Sequence, residues 1–212
     1  MMKCKVRNTL LMCIFICSFN VSMAASPLST SGKFSVLSVD MGAGCAIRLL
    51  DLYGGHLQSG MPAKASYWTD KPPVRSSLGN FGINFECHRG QPLDDVAKSY
   101  GSRWDVRGRR WAPYYEDRSE QRLAGPVSRI YQLQTTNATG FLRTTDQING
   151  EESERVRFYA FCLFRADIAI CGDGQSRFLK EPSGDFLLYI LRVLRSVEFI
   201  NSSGTTDEEK KP

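Results

Sequence analysis

The sequence predicts an α+β domain in which an antiparallel sheet, a meander with a central hairpin, is packed by a C-terminal helix. Residues 155–164 are rich in aromatic and β-branched side chains, polar residues interrupt this pattern once, and residues 169–172 resume it, as in a β-hairpin. Apolar residues over 186–197 recur instead at helical spacing and form a stripe wide enough to lie on a sheet. Several strands followed by a single helix indicate the α+β class.

The first 24 residues are predicted to be a cleaved signal peptide. A short basic region precedes an apolar run over residues 10–21, which is too short to serve as a membrane anchor, and small residues at Ser22 and Ala24 suit cleavage after Ala24. The leader carries three basic and no acidic residues, so its removal leaves 188 residues and lowers the net charge from +5 to +2. We therefore expect an exported protein with no stable membrane insertion after cleavage, and the small net charge gives little support for nucleic acid as a partner.

Four cysteines remain after cleavage, and we expect them to form two disulfide bonds. If Phe164 pairs with Ala169 across a four-residue turn, then Cys162 lies opposite Cys171. Of the three pairings that four cysteines allow, we favour this one together with Cys45–Cys87. Buried free thiols are the alternative, which export disfavours. No metal site is predicted, because the sequence has neither a C-x-x-C nor an H-x-x-x-H spacing.

The first half of the mature chain is predicted to hold four strands. Alternating or β-rich patterns place them at residues 34–39, 45–53, 65–69 and 81–87, the second in preference to a short helix. Residues 25–32 are expected to be a flexible start. Apart from the short strand, residues 56–80 are expected to be loop, because they are rich in Gly, Pro and Ser. One or two helical turns are expected over 94–100.

The second half is predicted to be a meander that ends in the helix. Strands are expected at residues 130–135 and 141–148, Asn149-Gly150 is a strong turn signal, and the central hairpin follows. Gly172-Asp173-Gly174 is expected to open a further turn. The helix over 186–196 can be capped by Ser183 or Asp185, residues 197–200 are expected to add an edge strand, and the polar tail 201–212 is expected to be disordered. The domain is thus predicted to span residues 25–200.

An arginine-rich and aromatic segment over residues 102–129 is the candidate partner-binding surface. Its candidate anchors are Trp104, Arg107, Arg109, Trp111, Tyr114 and Tyr115. Tryptophan, tyrosine and arginine are the usual anchors of protein interfaces, and interleaved arginines and aromatics also suit single-stranded nucleic acid. Export and the acidic residues at 116, 117 and 120 argue against nucleic acid. The remaining alternative is a solvated loop with its aromatic residues turned into the core.

Signals of catalysis or cofactor binding are almost absent from the sequence. There is no G-x-S-x-G, H-E-x-x-H, P-loop or dinucleotide fingerprint, and only two histidines occur. His88 adjoins Cys87, but neighbouring residues of a strand point to opposite faces, so this pair is poorly placed for nucleophilic catalysis. We therefore predict that the protein is not an enzyme and needs no cofactor.

The segment Cys45-Ala46-Ile47-Arg48-Leu49-Leu50-Asp51-Leu52 resembles a motif near the mature N-terminus of bacterial periplasmic immunity proteins that are paired with type VI secretion lipase effectors. Residues 161–163, 169–172 and 191–199 are also similar to such proteins. The resemblance implies a periplasmic protein that binds a cognate secreted toxin, such as a lipase, and neutralises it by occlusion. The alternatives are a periplasmic binding or assembly module for an envelope or secretion component, and a small hydrolase. A pocket that gathers His56 or His88 with carboxylates would favour the hydrolase.

Overall fold

Antiparallel strands dominate the structure, and one C-terminal helix packs against them, as the sequence predicts. The computed structural model describes residues 34–60 and 62–201. The predicted leader, the predicted flexible start at 25–32 and all but the first residue of the predicted tail lie outside these residues. In chain order the elements are β1 (Ser35–Asp40), β2 (Ala46–Asp51), β3 (His56–Ser59), β4 (Lys64–Thr69), β5 (Phe81–Arg89), α1 (Leu93–Ser99), β6 (Ser102–Asp105), β7 (Arg110–Pro113), α2 (Arg118–Ala124), β8 (Ser128–Gln134), β9 (Thr139–Asp146), β10 (Val156–Arg165), β11 (Ile168–Phe178), α3 (Leu187–Ser196) and β12 (Glu198–Ile200).

Three sheets are formed by these strands. A seven-stranded sheet has the order β3-β4-β5-β11-β10-β9-β8, a three-stranded sheet has the order β1-β2-β12, and β6 and β7 form a separate hairpin. The predicted final strand is confirmed, because β12 pairs with β2 at the edge of the small sheet. Because side chains alternate along each strand, the large sheet has two faces, an inner one that holds the main core and an outer one that carries a smaller cluster.

The central hairpin has the predicted register, which places the two cysteines opposite each other. Phe164 lies opposite Ala169 and Cys162 lies opposite Cys171. The turn is shorter than predicted, since Arg165 already pairs with Ile168 and leaves only residues 166 and 167 between the strands. The two cysteines form a disulfide bond across β10 and β11.

The prediction of a turn at Gly172-Asp173-Gly174 is wrong, because β11 runs straight through this segment to Phe178. Both glycines leave room for neighbouring side chains, and neither forms a turn. Gly172 lies opposite Phe161 and Gly174 lies opposite Tyr159. A Cβ atom on Gly172 would collide with the Asn84 carbonyl oxygen and with the Phe161 ring. The missing side chains thus make room for the aromatic rings on the inner face.

Helix α3 covers the inner face of the sheets with one apolar stripe. Ile190, Val193 and Leu194 on this stripe are at most 1% exposed and belong to the main core. The predicted N-cap at Ser183 or Asp185 is not found, since Phe186 occupies that position and makes no side-chain capping bond. One residue earlier, the Asp185 carboxylate still accepts a hydrogen bond from the Leu187 backbone N–H at 2.9 Å. A helix of this kind is held by the burial of its apolar face more than by its own propensity.

The disulfide bond Cys45–Cys87 has the predicted pairing, and it joins the small sheet to the large sheet. Cys45 precedes β2 in the small sheet and Cys87 lies in β5 of the large sheet, 42 residues further along the chain. Two disulfide bonds indicate an oxidising compartment, and hence an exported protein.

Two segments that were expected to be mostly loop contain regular structure. β3 is a four-residue edge strand that pairs with β4, and its sequence, His-Leu-Gln-Ser, is too short and polar to show an alternating pattern. Residues 102–129 form the β6–β7 hairpin and α2, so the expectation of a solvated loop is wrong there. In that hairpin, Trp104 lies opposite Trp111, and such cross-strand aromatic pairs stabilise strands.

Candidate functional site

A cleft of about 930 Å³ lies on the outer face of the large sheet. Strands β9, β10 and β11 supply its floor, while the end of α1 and residues 114–120 supply its walls. Its side chains include four carboxylates, from Glu116, Asp117, Glu120 and Asp173, but only two permanent cations, from Lys98 and Arg143. We call it the acidic cleft.

Arg143 organises this cleft from below. Its side chain is only 9% exposed. Its Nη1 donates to the carbonyl oxygens of Gly101 (2.9 Å) and Tyr114 (3.1 Å), and its guanidinium lies 4.9 Å from the centre of the Tyr115 ring. A Cβ atom on Gly101, whose φ is +74°, would collide with this guanidinium, so only glycine allows the approach. Arg143 thus ties both walls of the cleft to the sheet.

Part of the acidic charge is used to begin helix α2. Asp117 accepts a hydrogen bond from the Glu120 backbone N–H at 2.8 Å, and the Glu120 carboxylate accepts one from the Glu116 backbone N–H at 2.7 Å. This reciprocal pattern is close to a capping box. The carboxylates of Glu116 and Asp173 have no hydrogen-bond or ion-pair partner among the described residues, so both are free to meet a ligand.

His88 and Tyr100 form the far end of the cleft. The His88 Nε2 atom lies 3.2 Å from the Tyr100 hydroxyl oxygen. Burial, followed by the negative charges of Glu86 and Asp173, raises the pKa of Tyr100 to about 12. The Tyr100 phenol is therefore kept protonated mainly by burial, to which the two nearby carboxylates add.

Replacing Asp173 with asparagine is expected to lower the pKa of Tyr100 toward 10.0, because it removes one of the two charges that raise it. Since the pKa of Tyr100 is higher in the folded protein, its contribution to stability is complete below pH 10 and is lost as the pH rises toward 12. Titration of the tyrosine ring carbons by NMR would follow this change, with Glu152→Gln, in an exposed turn, as the control. An unaltered Tyr100 pKa in Asp173→Asn would contradict this account of the cleft.

The predicted partner-binding residues divide into exposed and supporting side chains. Trp104 is 44% exposed at the hairpin, and Arg107 and Arg109 are also exposed. Trp111 packs between Trp104 and the sheet: its ring contacts Trp104 edge-on at 5.4 Å between centroids and stacks on Phe164 at 4.8 Å. Trp111 therefore connects the hairpin to the sheet, whereas the other three side chains face solvent.

The hairpin is fixed to the edge of the large sheet by one side-chain amide. Gln132 in β8 accepts a hydrogen bond from the Trp111 backbone N–H and donates one to the Trp111 carbonyl oxygen, each at 2.9 Å. Tyr114 and Tyr115 are half-buried, and both contact Arg143, through a carbonyl oxygen and a ring face respectively. The segment thus forms one wall of the acidic cleft and also presents Trp104 on a supported surface.

The six predicted anchors are therefore not equivalent, although their role in binding stays a prediction. The sequence reveals the segment by its composition, but it gives no sign of the cleft beside it. The floor residues Arg143, Phe158 and Asp173 come from three different strands and match no motif. Only the irregular placement of an arginine among the apolar residues of β9 could have drawn attention to Arg143.

The site offers no evident place for a metal ion. Within residues 34–60 and 62–201, no three His, Cys, Asp or Glu side chains come close enough together to hold one.

In the same part of the chain, no helix is long and apolar enough to cross a membrane.

Comparison of the chain with protein-family models, with curated proteins and with solved structures gives no match.

Proposed function

We propose that this chain is an exported immunity protein, carried to the periplasm by a cleaved signal peptide, that binds and neutralises a secreted antibacterial toxin by occluding it. A type VI secretion effector, such as a lipase, is the toxin class that the motif over residues 45–52 favours. A protein that acts in the periplasm meets proteases and has no reducing system to rely on, and two disulfide bonds suit such a setting. Occlusion requires a rigid surface and no catalytic residue.

The observation that carries this proposal is that Trp104 is exposed to solvent and is held in place by the ring of Trp111. Its ring lies open to solvent, yet it rests on Trp111, which is itself stacked on Phe164. Exposed arginines at 107 and 109 flank it. Rigid aromatic and arginine side chains are the residues that dominate binding energy in protein interfaces, and a preformed surface loses less entropy on binding.

Replacing Trp104 with alanine is expected to weaken toxin binding at least tenfold, because it removes the exposed anchor and leaves the support in place. Trp111 and Tyr115 are less suitable for this test, since both contact the sheet. Phe34→Ala is the matched control: Phe34 is 62% exposed, far from the hairpin in sequence, and its loss should change affinity less than twofold. Isothermal titration with the purified toxin measures both. Unchanged affinity in Trp104→Ala would exclude the hairpin from the interface.

A hydrolase is the second candidate, because the acidic cleft places His88 in the same cavity as Asp173. The nearest hydroxyl partner of His88 is Tyr100, whose raised pKa makes it a poor nucleophile at neutral pH. Ser99, also at the cleft, donates its hydroxyl to the Val96 carbonyl oxygen at 2.8 Å. Turnover of chromogenic ester or phosphodiester substrates that disappears in His88→Ala would favour this candidate over the binding protein.

A further inference from the structure

We infer that the acidic cleft binds a basic segment of the toxin, with an arginine or lysine side chain of that segment between Asp173, Glu116 and Phe158. The inference rests on the proposed function and adds to it the chemistry of the partner. The exposed side chains of Trp104, Arg107 and Arg109 on the β6–β7 hairpin form what we call the Trp104 surface. The cleft adjoins it through residues 114–117, so one partner can contact both.

The charge of the cleft selects a cation. Its carboxylates outnumber its permanent cations by four to two, and the positive charge of Arg143 is directed at two backbone carbonyls and the Tyr115 ring. Asp173 and Glu116 have no partner among the described residues.

The shape and lining of the cleft select a side chain in preference to a metal ion. The carboxylates are spread around the cavity, and within the described residues they form no cluster that could hold a metal. On the floor, Phe158 is 43% exposed although it lies in the sheet. The aliphatic stem of an arginine or lysine covers such a ring while the charged group reaches a carboxylate, and an arginine can also stack on the ring.

Arg143 does not block a cation in the cleft. Its Nη atoms donate to the carbonyl oxygens of Gly101 and Tyr114 and to the Ser128 hydroxyl oxygen, and its guanidinium faces the Tyr115 ring. The side chain is nine-tenths buried and its Nε atom has almost no exposed surface, so its charge lies below the lining that a ligand meets. Because residues 114–117 join the cleft to the hairpin that carries Trp104, the cation is assigned to a basic loop or chain end of the same partner.

The inference can be tested on the protein without its toxin. The probe is the peptide acetyl-Gly-Arg-Gly-amide, with acetyl-Gly-citrulline-Gly-amide, which has the same shape but no charge, as the control. In ¹⁵N NMR spectra of the full chain, we expect the arginine peptide at millimolar concentration to shift the Gly101 and Gly174 amide signals. The citrulline peptide should not, and Asp173→Asn, which keeps the shape of the side chain, should weaken the effect at least threefold. Equal shifts from both peptides, or none, would overturn the inference.

The toxin complex gives the second test. Asp173→Lys and Glu116→Lys are expected to weaken toxin binding at least tenfold, and Glu152→Lys, an equal change of charge in an exposed turn, less than twofold. Full affinity in both cleft variants would remove the cleft from the interface and leave the proposed function intact. Arginine-peptide binding without any recoverable toxin would instead sink the proposed function and keep the cation site. If the chain forms a dimer that Asp173→Lys dissociates, the cleft holds the arginine-rich hairpin of a second copy, and the assignment to the toxin is wrong.

Discussion

Replacing Cys45 and Cys87 together with alanine is expected to lower the free energy of unfolding by about 4 kcal/mol in the chain-entropy account of disulfide bonds. The bond closes a loop of 42 residues, which holds β2, β3 and β4 and most of β5. Its loss therefore gives the unfolded chain much more freedom. It also removes the covalent link between the small and large sheets, so the small sheet should open first.

The other disulfide bond, Cys162–Cys171, is the internal control for this prediction. Cys162 and Cys171 are only 9 residues apart, so their joint replacement with alanine should cost about 2.5 kcal/mol through the same loop-closure effect. All four cysteines are buried, so the small cavities left by alanine affect the two variants similarly. Urea unfolding monitored by circular dichroism gives both values. A smaller loss for the Cys45–Cys87 variant than for the Cys162–Cys171 variant would contradict this account of how the sheets are joined.

Replacing Arg143 with methionine is expected to lower the free energy of unfolding by about 3 kcal/mol, since hydrogen bonds from a charged donor are worth about 1.5–3 kcal/mol each. Methionine fills much of the space of the arginine stem, but it leaves the Tyr114 carbonyl oxygen without a donor and the Gly101 carbonyl oxygen with only the Tyr114 backbone N–H. The walls of the acidic cleft should consequently loosen, while the inner core keeps its packing.

Arg143→Lys separates charge from geometry in the same experiment. Lysine keeps the positive charge but lacks the planar fork that serves two carbonyls and a ring at once. Its stability should lie between those of the wild-type protein and Arg143→Met. Hydrogen exchange should show faster exchange at residues 100–101 and 114–117 in both variants and unchanged protection in α3. Equal stability of all three proteins would mean that Arg143 does not hold the cleft together.

The parts of the fold that the sequence predicts are those governed by local patterns. The alternating residues of β5 and the aromatic run of β10 are half-buried or buried strands, and period and turn spacing alone set the Cys162–Cys171 register. The stripe of α3 is equally local. The prediction of a turn at residues 172–174 is wrong because a glycine can either form a turn or make room for a neighbouring side chain. Only the tertiary structure shows that the rings of Phe161 and Tyr159 lie close to Gly172 and Gly174.

The candidate site could be predicted only in part. The Trp104 surface comes from one stretch of sequence, whereas the acidic cleft brings together residues from distant stretches. The Trp104 surface lies within one continuous segment and is visible in its composition. The acidic cleft joins residues from β5, α1, the segment before α2, and strands β9 to β11. Contacts between residues so distant in sequence depend on the order of strands in the sheet, which no motif in this chain specifies.

Affinity capture can show whether the protein binds a secreted toxin through Trp104. The full chain, expressed with its N-terminal segment and purified under non-reducing conditions, is immobilised and exposed to proteins secreted by the producing cell, with Trp104→Ala as the matched control bait. We expect the wild-type protein to retain one secreted toxin and the variant to retain much less of it. Capture of resident envelope proteins alone, equally by both baits, would contradict it and would favour a binding or assembly module of the envelope.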